Sequence, residues 1–246
     1  GAGLAQLVGS TLTIGGAVSV ENLSVPTGTV LTGAGDLTVT NNLAWSGGTM
    51  SGTGQTVIAA GSSLDVTGAV SLQRLITNQS GGTINLTGTG QVNTIFDGLW
   101  LDNQAGGLVH IQNNGGFAGD NTNLETITNA GTFRKSVATG ASTISNIAFN
   151  NTGGTLDVQT GTLAVSGTFN HTGASSLVAG TLNASGGGSS SGSLALSSGT
   201  QVNLTAGTHN LAASSSVTNL GRYRVNGGTL AINGTGVSAD NLDVLS

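Results

Sequence analysis

Short runs of alternating apolar and polar residues recur along the chain, and glycine-containing turns separate them. Examples are Thr11-Leu12-Thr13-Ile14, Leu37-Thr38-Val39-Thr40 and Gly154-Thr155-Leu156-Asp157-Val158. Alternation with a period of two is typical of β-strands that bury one face, and the first sixty residues show no helical period. The pattern therefore predicts an all-β protein built from many short strands that are joined by tight turns.

The spacing of these runs is measured from the first apolar residue after each glycine turn. These residues are Leu64, Ile84, Val109, Phe133, Leu156, Leu182, Val202 and Leu230, with gaps of 20, 25, 24, 23, 26, 20 and 28 residues. A repeat of about 24 residues with two or three short strands cannot bury its own apolar side chains, so the copies must stack. We therefore predict a right-handed parallel β-helix, a solenoid of about ten coils with about 24 residues per coil, as a single domain over residues 1–246.

Asparagine recurs at a near-constant offset from these apolar residues, with a glycine two or three residues later. Asn and Gly tolerate the sharp bends that each coil needs. Asparagines in equivalent turns can stack their amides into a hydrogen-bonded ladder along the rod. The members of the predicted ladder are Asn78, Asn103, Asn129 and Asn151. Binding of a glycan by exposed asparagines is the alternative interpretation.

A second column of side chains is predicted on the outer surface, one residue after each leading apolar position. Its members are Asp65, Asn85, His110, Arg134 and Asp157. Arg134 and Asp157 belong to neighbouring coils at the same phase, so we expect a surface ion pair worth at most about 1 kcal/mol. A mixed column of this kind is typical of a solvated sheet face.

Lys135 interrupts the pattern, because it falls where Val66 and Val158 point inward. A buried lysine without a partner is costly. We therefore expect a bulge, or a strand that ends early at Ser136, to turn this side chain outward. A shielded lysine beside a carboxylate would instead suggest a reactive amine, such as one that forms an isopeptide bond.

Composition and charge narrow the classes of partner. Of 246 residues 43 are glycine and one is proline, 6% are charged, and the formal net charge is −5. The five basic residues form no stripe that could neutralise phosphates, so nucleic acid is not an expected partner. No apolar run is long enough to cross a bilayer as a helix, so membrane insertion is not expected either. The chain has no cysteine for disulfides or thiolate metal sites.

The residues that could carry chemistry are scattered. The ten carboxylates occur roughly once per coil, and His110, His171 and His209 have no metal-ligand spacing. The sequence predicts no catalytic residues, no cofactor and no defined metal site, and hence no enzyme. Residues 119–125 are rich in oxygen ligands but lack the spacing of a twelve-residue calcium loop. Whether calcium binds near Asp120 stays open.

Three segments, residues 37–52, 129–135 and 149–163, resemble repeats of very large bacterial surface proteins, namely the filamentous-haemagglutinin-like and autotransporter-like adhesins. The similar positions are turn and core positions, such as Asn129-Ala130-Gly131-Thr132-Phe133 and Asn151-Thr152-Gly153-Gly154-Thr155-Leu156. The resemblance implies an exported right-handed β-helix that serves as a stalk, adhesin or fibre. It identifies no ligand-binding residues.

These observations favour a non-enzymatic structural protein, either a rod segment of an extracellular bacterial adhesin or the subunit of a head-to-tail fibre. We expect it outside the cell or on the bacterial surface. Residues 4–8 and 242–245 are apolar, so the expected partners are further copies of itself through open β-helix ends, together with glycans or a host or neighbouring cell surface. Two alternatives stay open: a polysaccharide-binding or polysaccharide-cleaving β-helix, and an ice-binding β-helix that uses Thr-x-Thr pairs such as Thr126/Thr128.

Overall fold

The computed structural model describes residues 4–94, 97–120, 125–213 and 215–245, and within these residues it contains β-strands and no helix. The expected parallel β-solenoid is confirmed. It has about 11 turns in the described part of the chain, and equivalent residues lie roughly 21 positions apart. The prediction of about ten coils with about 24 residues each was therefore slightly too long in period and too low in number.

In chain order the strands are β1 (Leu4–Gln6), β2 (Thr11–Thr13), β3 (Val18–Val25), β4 (Val30–Thr32), β5 (Leu37–Trp45), β6 (Thr49–Ser51), β7 (Thr56–Ile58), β8 (Ser63–Val66), β9 (Ala69–Gln73), β10 (Ile76–Asn78), β11 (Thr83–Leu86), β12 (Gln91–Thr94), β13 (Gly98–Asn103), β14 (Leu108–Ile111), β15 (Gly116–Ala118), β16 (Glu125–Asn129), β17 (Thr132–Lys135), β18 (Ala141–Ser145), β19 (Ala148–Asn151), β20 (Thr155–Val158), β21 (Thr162–Val165), β22 (Phe169–His171), β23 (Ala174–Leu177), β24 (Thr181–Ala184), β25 (Gly188–Ser190), β26 (Ser193–Leu196), β27 (Gln201–Leu204), β28 (Thr208–Leu211), β29 (Ser216–Asn219), β30 (Arg222–Asn226), β31 (Thr229–Ile232), β32 (Ser238–Ala239) and β33 (Leu242–Leu245).

A typical turn contributes one strand to each of three faces. The first face contains β7, β10, β13 and their equivalents up to β31, and the second face contains β8, β11, β14 and their equivalents up to β32. These two faces belong to one sheet, because the long strands β3 and β5 run through both. The third face is a separate sheet that runs from β2 to β33. The pairings between successive turns are parallel on all three faces.

Alternation along the strands places one set of side chains inside the solenoid. In β8, β11 and β14 the residues alternate between partly exposed and buried. On the second face Leu43, Leu64, Ile84, Val109 and Phe133 lie one above the other in register and are at most 2% exposed. Because complete burial of such a side chain contributes about 1.5–3 kcal/mol, these inward columns hold the turns together.

The predicted column of leading apolar residues is correct only as far as Leu156. Val158 pairs with Leu177, 19 positions later, whereas Ile84 and Val109 are 25 positions apart. The shorter turn puts Leu182 and Val202 together on the third face and Leu230 on the first face. The prediction assumed one mean period, so its register is wrong after this change in turn length.

Glycine is required where one turn passes directly over another. Gly16, Gly35 and Gly54 occupy equivalent corners, and a Cβ on Gly54 would overlap the carbonyl oxygen of Gly35. The same addition on Gly16 would meet no atom within 4 Å. From the second turn onward, close packing against the preceding turn therefore requires glycine at this corner.

We predict that Gly54→Ala lowers the free energy of unfolding by about 1–3 kcal/mol, because the methyl group must displace backbone of the preceding turn. The matched control Gly16→Ala, at the equivalent corner, should change the stability by less than about 0.5 kcal/mol. Urea denaturation followed by circular dichroism measures both. Equal stabilities for the two variants would contradict the close approach at this corner.

Candidate functional site

A column of buried amides runs along the inside of the first face. Asn78, Asn103, Asn129 and Asn151 are each 0% exposed and are paired in register through β10, β13, β16 and β19. Each Nδ2 donates to the Oδ1 of the next asparagine, at 2.7, 2.6 and 2.6 Å. The structure therefore places all four predicted ladder residues in one hydrogen-bonded chain. It lies inside the solenoid, so these amides are not available to a glycan.

Backbone carbonyls fix the direction of this amide chain. The Nδ2 of Asn103 also donates to the carbonyl oxygen of Thr132 (3.1 Å), and the Nδ2 of Asn151 donates to that of Gly154 (2.7 Å). A rotated amide would set Oδ1 against these carbonyl oxygens, and two acceptors cannot bond. All the amides consequently donate toward the C-terminal turns.

The column continues beyond the predicted residues into β22 and β25. His171 and Ser190 follow Asn151 in register, and both are buried. From its spacing alone His171 is predicted to be isolated, although the sequence contains a signal of its place in the column. The segments Phe149-Asn150-Asn151 and Phe169-Asn170-His171 share one pattern twenty residues apart, and the two phenylalanine rings stack with centroids 6.0 Å apart.

A second buried histidine lies close to this end of the column. His209 is 2% exposed, its Nε2 lies 2.9 Å from the Oγ of Ser190, and its ring stacks on Phe169. Burial, and to a smaller extent the neighbouring His171, lower the pKa of His209 to about 4. Burial also lowers the pKa of His171. Both imidazoles are thus held neutral inside the core.

The predicted outer column is in register on the second face. Asp65, Asn85, His110, Arg134 and Asp157 pair successively through β8, β11, β14, β17 and β20. The first four of them are partly exposed and Asp157 is buried. Arg134 Nε donates to Asp157 Oδ2 at 2.7 Å, as the expected ion pair requires. Burial lowers the pKa of His110, and the positive charge of Arg134 acts in the same direction.

Lys135 contradicts the expectation of a bulge or an early strand end. It is the last residue of β17, pairs in register with Ile111 and Val158, and is 0% exposed. Its Nζ donates to the carbonyl oxygens of Asn113 (3.3 Å) and Ala138 (3.0 Å). Because these carbonyls accept two hydrogen bonds from the ammonium group, the lysine keeps its inward position. Burial lowers its pKa.

Three carboxylates come together where the chain passes from the third face to the first. One oxygen each of Asp97, Asp120 and Glu125 lies within 4.8 Å of the others, and the backbone N–H of Asp120 donates to Glu125 Oε1 at 2.9 Å. The expectation of scattered carboxylates is wrong here, because Gly98 pairs with Glu125 and brings the starts of β13 and β16 side by side. Such oxygens are the ligands that calcium prefers. In the segment 119–125, for which the sequence leaves calcium binding open, residues 121–124 lie outside the described residues.

A cleft of about 390 Å³ opens beside these carboxylates. Its lining includes Gln73, Arg74, Leu75, Asp97, Leu99 and Trp100, and it lies where β13 has an irregular register between Leu99 and Leu101. Trp100 is only 4% exposed, so little of its ring is available for stacking on a ligand. The cleft therefore offers mainly aliphatic surface with a few polar groups around it.

Arg74 of this cleft is engaged by the backbone. Its guanidinium donates to the carbonyl oxygens of Gly35 (3.0 Å), Ser51 (3.2 Å) and Gln55 (2.7 Å), which belong to earlier turns. Burial lowers the pKa of this guanidinium, while the carboxylate of Asp36 acts in the opposite direction. The contacts show a side chain that ties successive turns together.

A more open groove of about 530 Å³ lies near the other end of β12 and is lined mainly by polar groups. Its lining includes Gln91, Gln112, Asn113 and Asn114 beside Gly88 and Gly115. The Nδ2 of Asn113 donates to the carbonyl oxygen of Gly90 at 2.9 Å, so this amide is part of the wall. Gln112 donates weakly to Asn85 (3.3 Å). Amides of this kind can donate to and accept from sugar hydroxyls.

The threonine pairs considered for ice binding do not form a ladder in this structure. Thr126 lies between Leu99 and Ala148, and Thr128 lies between Asp102 and Asn150. The flat face of threonines at one-turn spacing that the ice-binding hypothesis needs is therefore missing around this pair.

Comparisons with family models, with curated proteins and with solved structures find no match for this chain. In the part of the chain that the structure describes, no helix could cross a membrane.

We predict that Asn129→Ala lowers the free energy of unfolding by about 2–4 kcal/mol, since it removes one hydrogen bond from each of the buried amides of Asn103 and Asn151 and a donor from nearby carbonyls. Asn150→Ala is the matched control, because the side chain of Asn150 lies on the outer face and bonds only Asn170 among its described contacts. That change should cost less than about 1 kcal/mol. Urea midpoints of the two variants compare them, and a similar loss for both would contradict a special role for the inner column.

We predict that the stability of the wild-type protein rises with pH in the alkaline range, as a result of Lys135. The pKa of this lysine is lowered in the folded state, so between that lowered value and the ordinary 10.5 the unfolded chain binds more protons. Stability then increases with pH across this window. Lys135→Met lacks the group and should show a flatter profile. Urea midpoints at several alkaline pH values measure the difference, and parallel profiles for the two proteins would exclude this role.

Proposed function

We propose that this chain is a structural, non-enzymatic rod, either a segment of an extracellular bacterial surface adhesin or the subunit of an extracellular fibre. The observation that carries the proposal is the unbroken stacking of about 11 turns by parallel ladders on three faces. At about 4.8 Å per turn the described chain forms a rod on the order of 50 Å long. Such a scaffold separates whatever is attached at its two ends by a fixed distance.

The core supports a mechanical role. One connected cluster of buried apolar side chains extends from Ile14 near the start to Val225 near the end. Buried polar groups such as Asn103, Arg74 and Lys135 bond across turns, so they add links along the same axis. A protease cleaves backbone that has opened locally, and these links reduce the population of such open states.

The rod and fibre forms of the proposal differ in what covers the last described turn. In this turn Ile232 is 56% exposed and Val244 is 73% exposed. In a longer adhesin the next part of the chain would cover them, and in a fibre the first turn of another copy would do so. An exposed strand edge can pair with a further strand from either source.

A second candidate is polysaccharide binding, which the amide-lined groove beside Gln91 and Gln112 favours. Sugar recognition in such a groove would depend on planar amides that bond adjacent hydroxyls. This candidate is compatible with a rod that also adheres to a glycan surface.

We expect negative-stain electron microscopy of the purified chain to show rods on the order of 50 Å long, and at high concentration either the same rods or filaments with that axial repeat.

Protein-coated beads should attach to cells or glycan surfaces, and incubation with soluble polysaccharides should release no new reducing ends. Loss of bead attachment in Gln91→Ala/Gln112→Ala would support the glycan candidate. Steady release of reducing ends, or particles without an elongated shape, would overturn the structural proposal.

A further inference from the structure

The buried amide chain ends on a titratable side chain, which is a chemical property that the other members of the column lack. The Nδ2 of Asn151 lies 3.1 Å from Nδ1 of His171, and Nε2 of His171 lies 3.1 Å from the carbonyl oxygen of Ser193. A carbonyl only accepts, so Nε2 must carry the proton. Nδ1 must then be the unprotonated acceptor for Asn151. The contacts therefore select one neutral tautomer of His171.

We propose that His171 is a proton-sensitive latch: a proton taken from acidic solvent onto Nδ1 breaks the bond from Asn151 and opens the turns that contain β22, β25 and β28. The N–H of the protonated ring would face the N–H groups of Asn151, and two donors cannot bond. The hydroxyl oxygen nearest to it, Oγ of Ser175, lies 3.4 Å away and already accepts from Nδ2 of Asn151 at 2.9 Å. The proton adds to the lone pair of Nδ1, and no other covalent bond forms or breaks.

The amide chain cannot relieve this conflict by turning around. The Nδ2 of Asn151 is held by the carbonyl oxygen of Gly154 at 2.7 Å, and the Nδ2 of Asn129 lies 3.3 Å from the carbonyl oxygen of Gly131. Rotation of Asn151 would lose its bond to Gly154 and would force Asn129 and Asn103 to rotate in sequence. Each rotation sets an amide oxygen against a carbonyl oxygen, so expulsion of the imidazole costs less than reversal of the column.

The surroundings of His171 supply no negative charge for an imidazolium. The neighbouring strands β19 and β25 contain no titratable residues, and β23 contributes Ser175, whose Oγ lies 3.4 Å from Nδ1. On β28 the titratable neighbour is His209, and on β30 Tyr223 lines the same internal space. Asp157 of β20 is engaged with Arg134 on the outer column. Among these described neighbours the one facing charge that acid creates is therefore a second imidazolium, which repels the first.

A small internal cavity beside His171 marks where these turns would separate first. It has a volume of about 10 Å³ and is lined by residues that include His171, Ser190, His209, Ser215 and Tyr223. This is about the space of one water molecule. The Nδ1 of His209 has no protein partner in the described chain, so the hydrogen bonding of this part of the core is incomplete.

The direction of the pH effect follows from linkage. Both histidines have a lowered pKa in the folded state, and that of His209 is about 4. Below the ordinary value of about 6.5 the unfolded chain therefore binds more protons than the folded chain. The contribution of the two neutral histidines to the free energy of unfolding is fully present above that pH, and it is lost as the pH falls from about 6.5 toward 4.

His171→Asn is the discriminating variant, because an asparagine can accept from Asn151 and donate to Ser193 at any pH. We expect its acid-unfolding midpoint, measured by circular dichroism, to lie about half a pH unit or more below that of the wild type. His110→Asn is the matched control on the outer column: its pKa is also lowered, but its ring is partly exposed, so this change should move the midpoint less than His171→Asn does. An unchanged midpoint in His171→Asn would overturn the proposal.

A measurement on the wild-type protein keeps the test independent of whether the variant folds. With ¹⁵N-labelled histidine, NMR should show the Nε2–H tautomer of His171 at neutral pH. Its protonation should coincide with loss of hydrogen-exchange protection in β22, β25 and β28, while β10, β13 and β16 stay protected. Titration of His171 near pH 6.5 without such a loss, or simultaneous opening of all turns, would contradict a local latch.

Discussion

Parallel backbone pairing between successive turns is the constraint on which the rest of this structure depends. It brings each residue directly above its equivalent one turn earlier. Each inward side chain must therefore pack against, or bond to, the equivalent side chains of the turns before and after it. Apolar columns satisfy this condition by packing. A buried polar side chain can satisfy it only by bonding along the column or to the backbone at the corners, and the amides of Asn78 to Asn151 do both.

The same constraint explains how this weakly charged chain places cations in its interior. Arg74 and Lys135 are buried, and the hydrogen bonds that hold them go to backbone carbonyls of the corners. Corner carbonyls that point away from the ladders need donors in any case, so a long basic side chain can satisfy several of them. The cost of burying the charge remains, and it appears as a lowered pKa for both groups.

The inner polar column also divides the rod into parts with different chemistry. From β10 to β19 the column consists of amides, whose hydrogen bonding does not depend on pH. At β22 an imidazole replaces the amide, and beyond Ser190 the column becomes aliphatic at Leu211. The structural role that we propose for the whole chain therefore coexists with a local region whose bonding depends on the protonation state of one side chain.

The sequence by itself determined the strands, the parallel stacking and the asparagine ladder, because these depend on local alternation and on spacings that repeat within a few residues. It also placed the outer column through Asp157, but it lost the register afterwards, since turns of 19 and 25 residues cannot be told apart from one mean period. Only the tertiary structure showed that Lys135 stays inside, that Asp97 meets Glu125, and that His171 ends the ladder. Those outcomes depend on which corners and loops lie above one another, and that is set by the summed lengths of all the preceding turns.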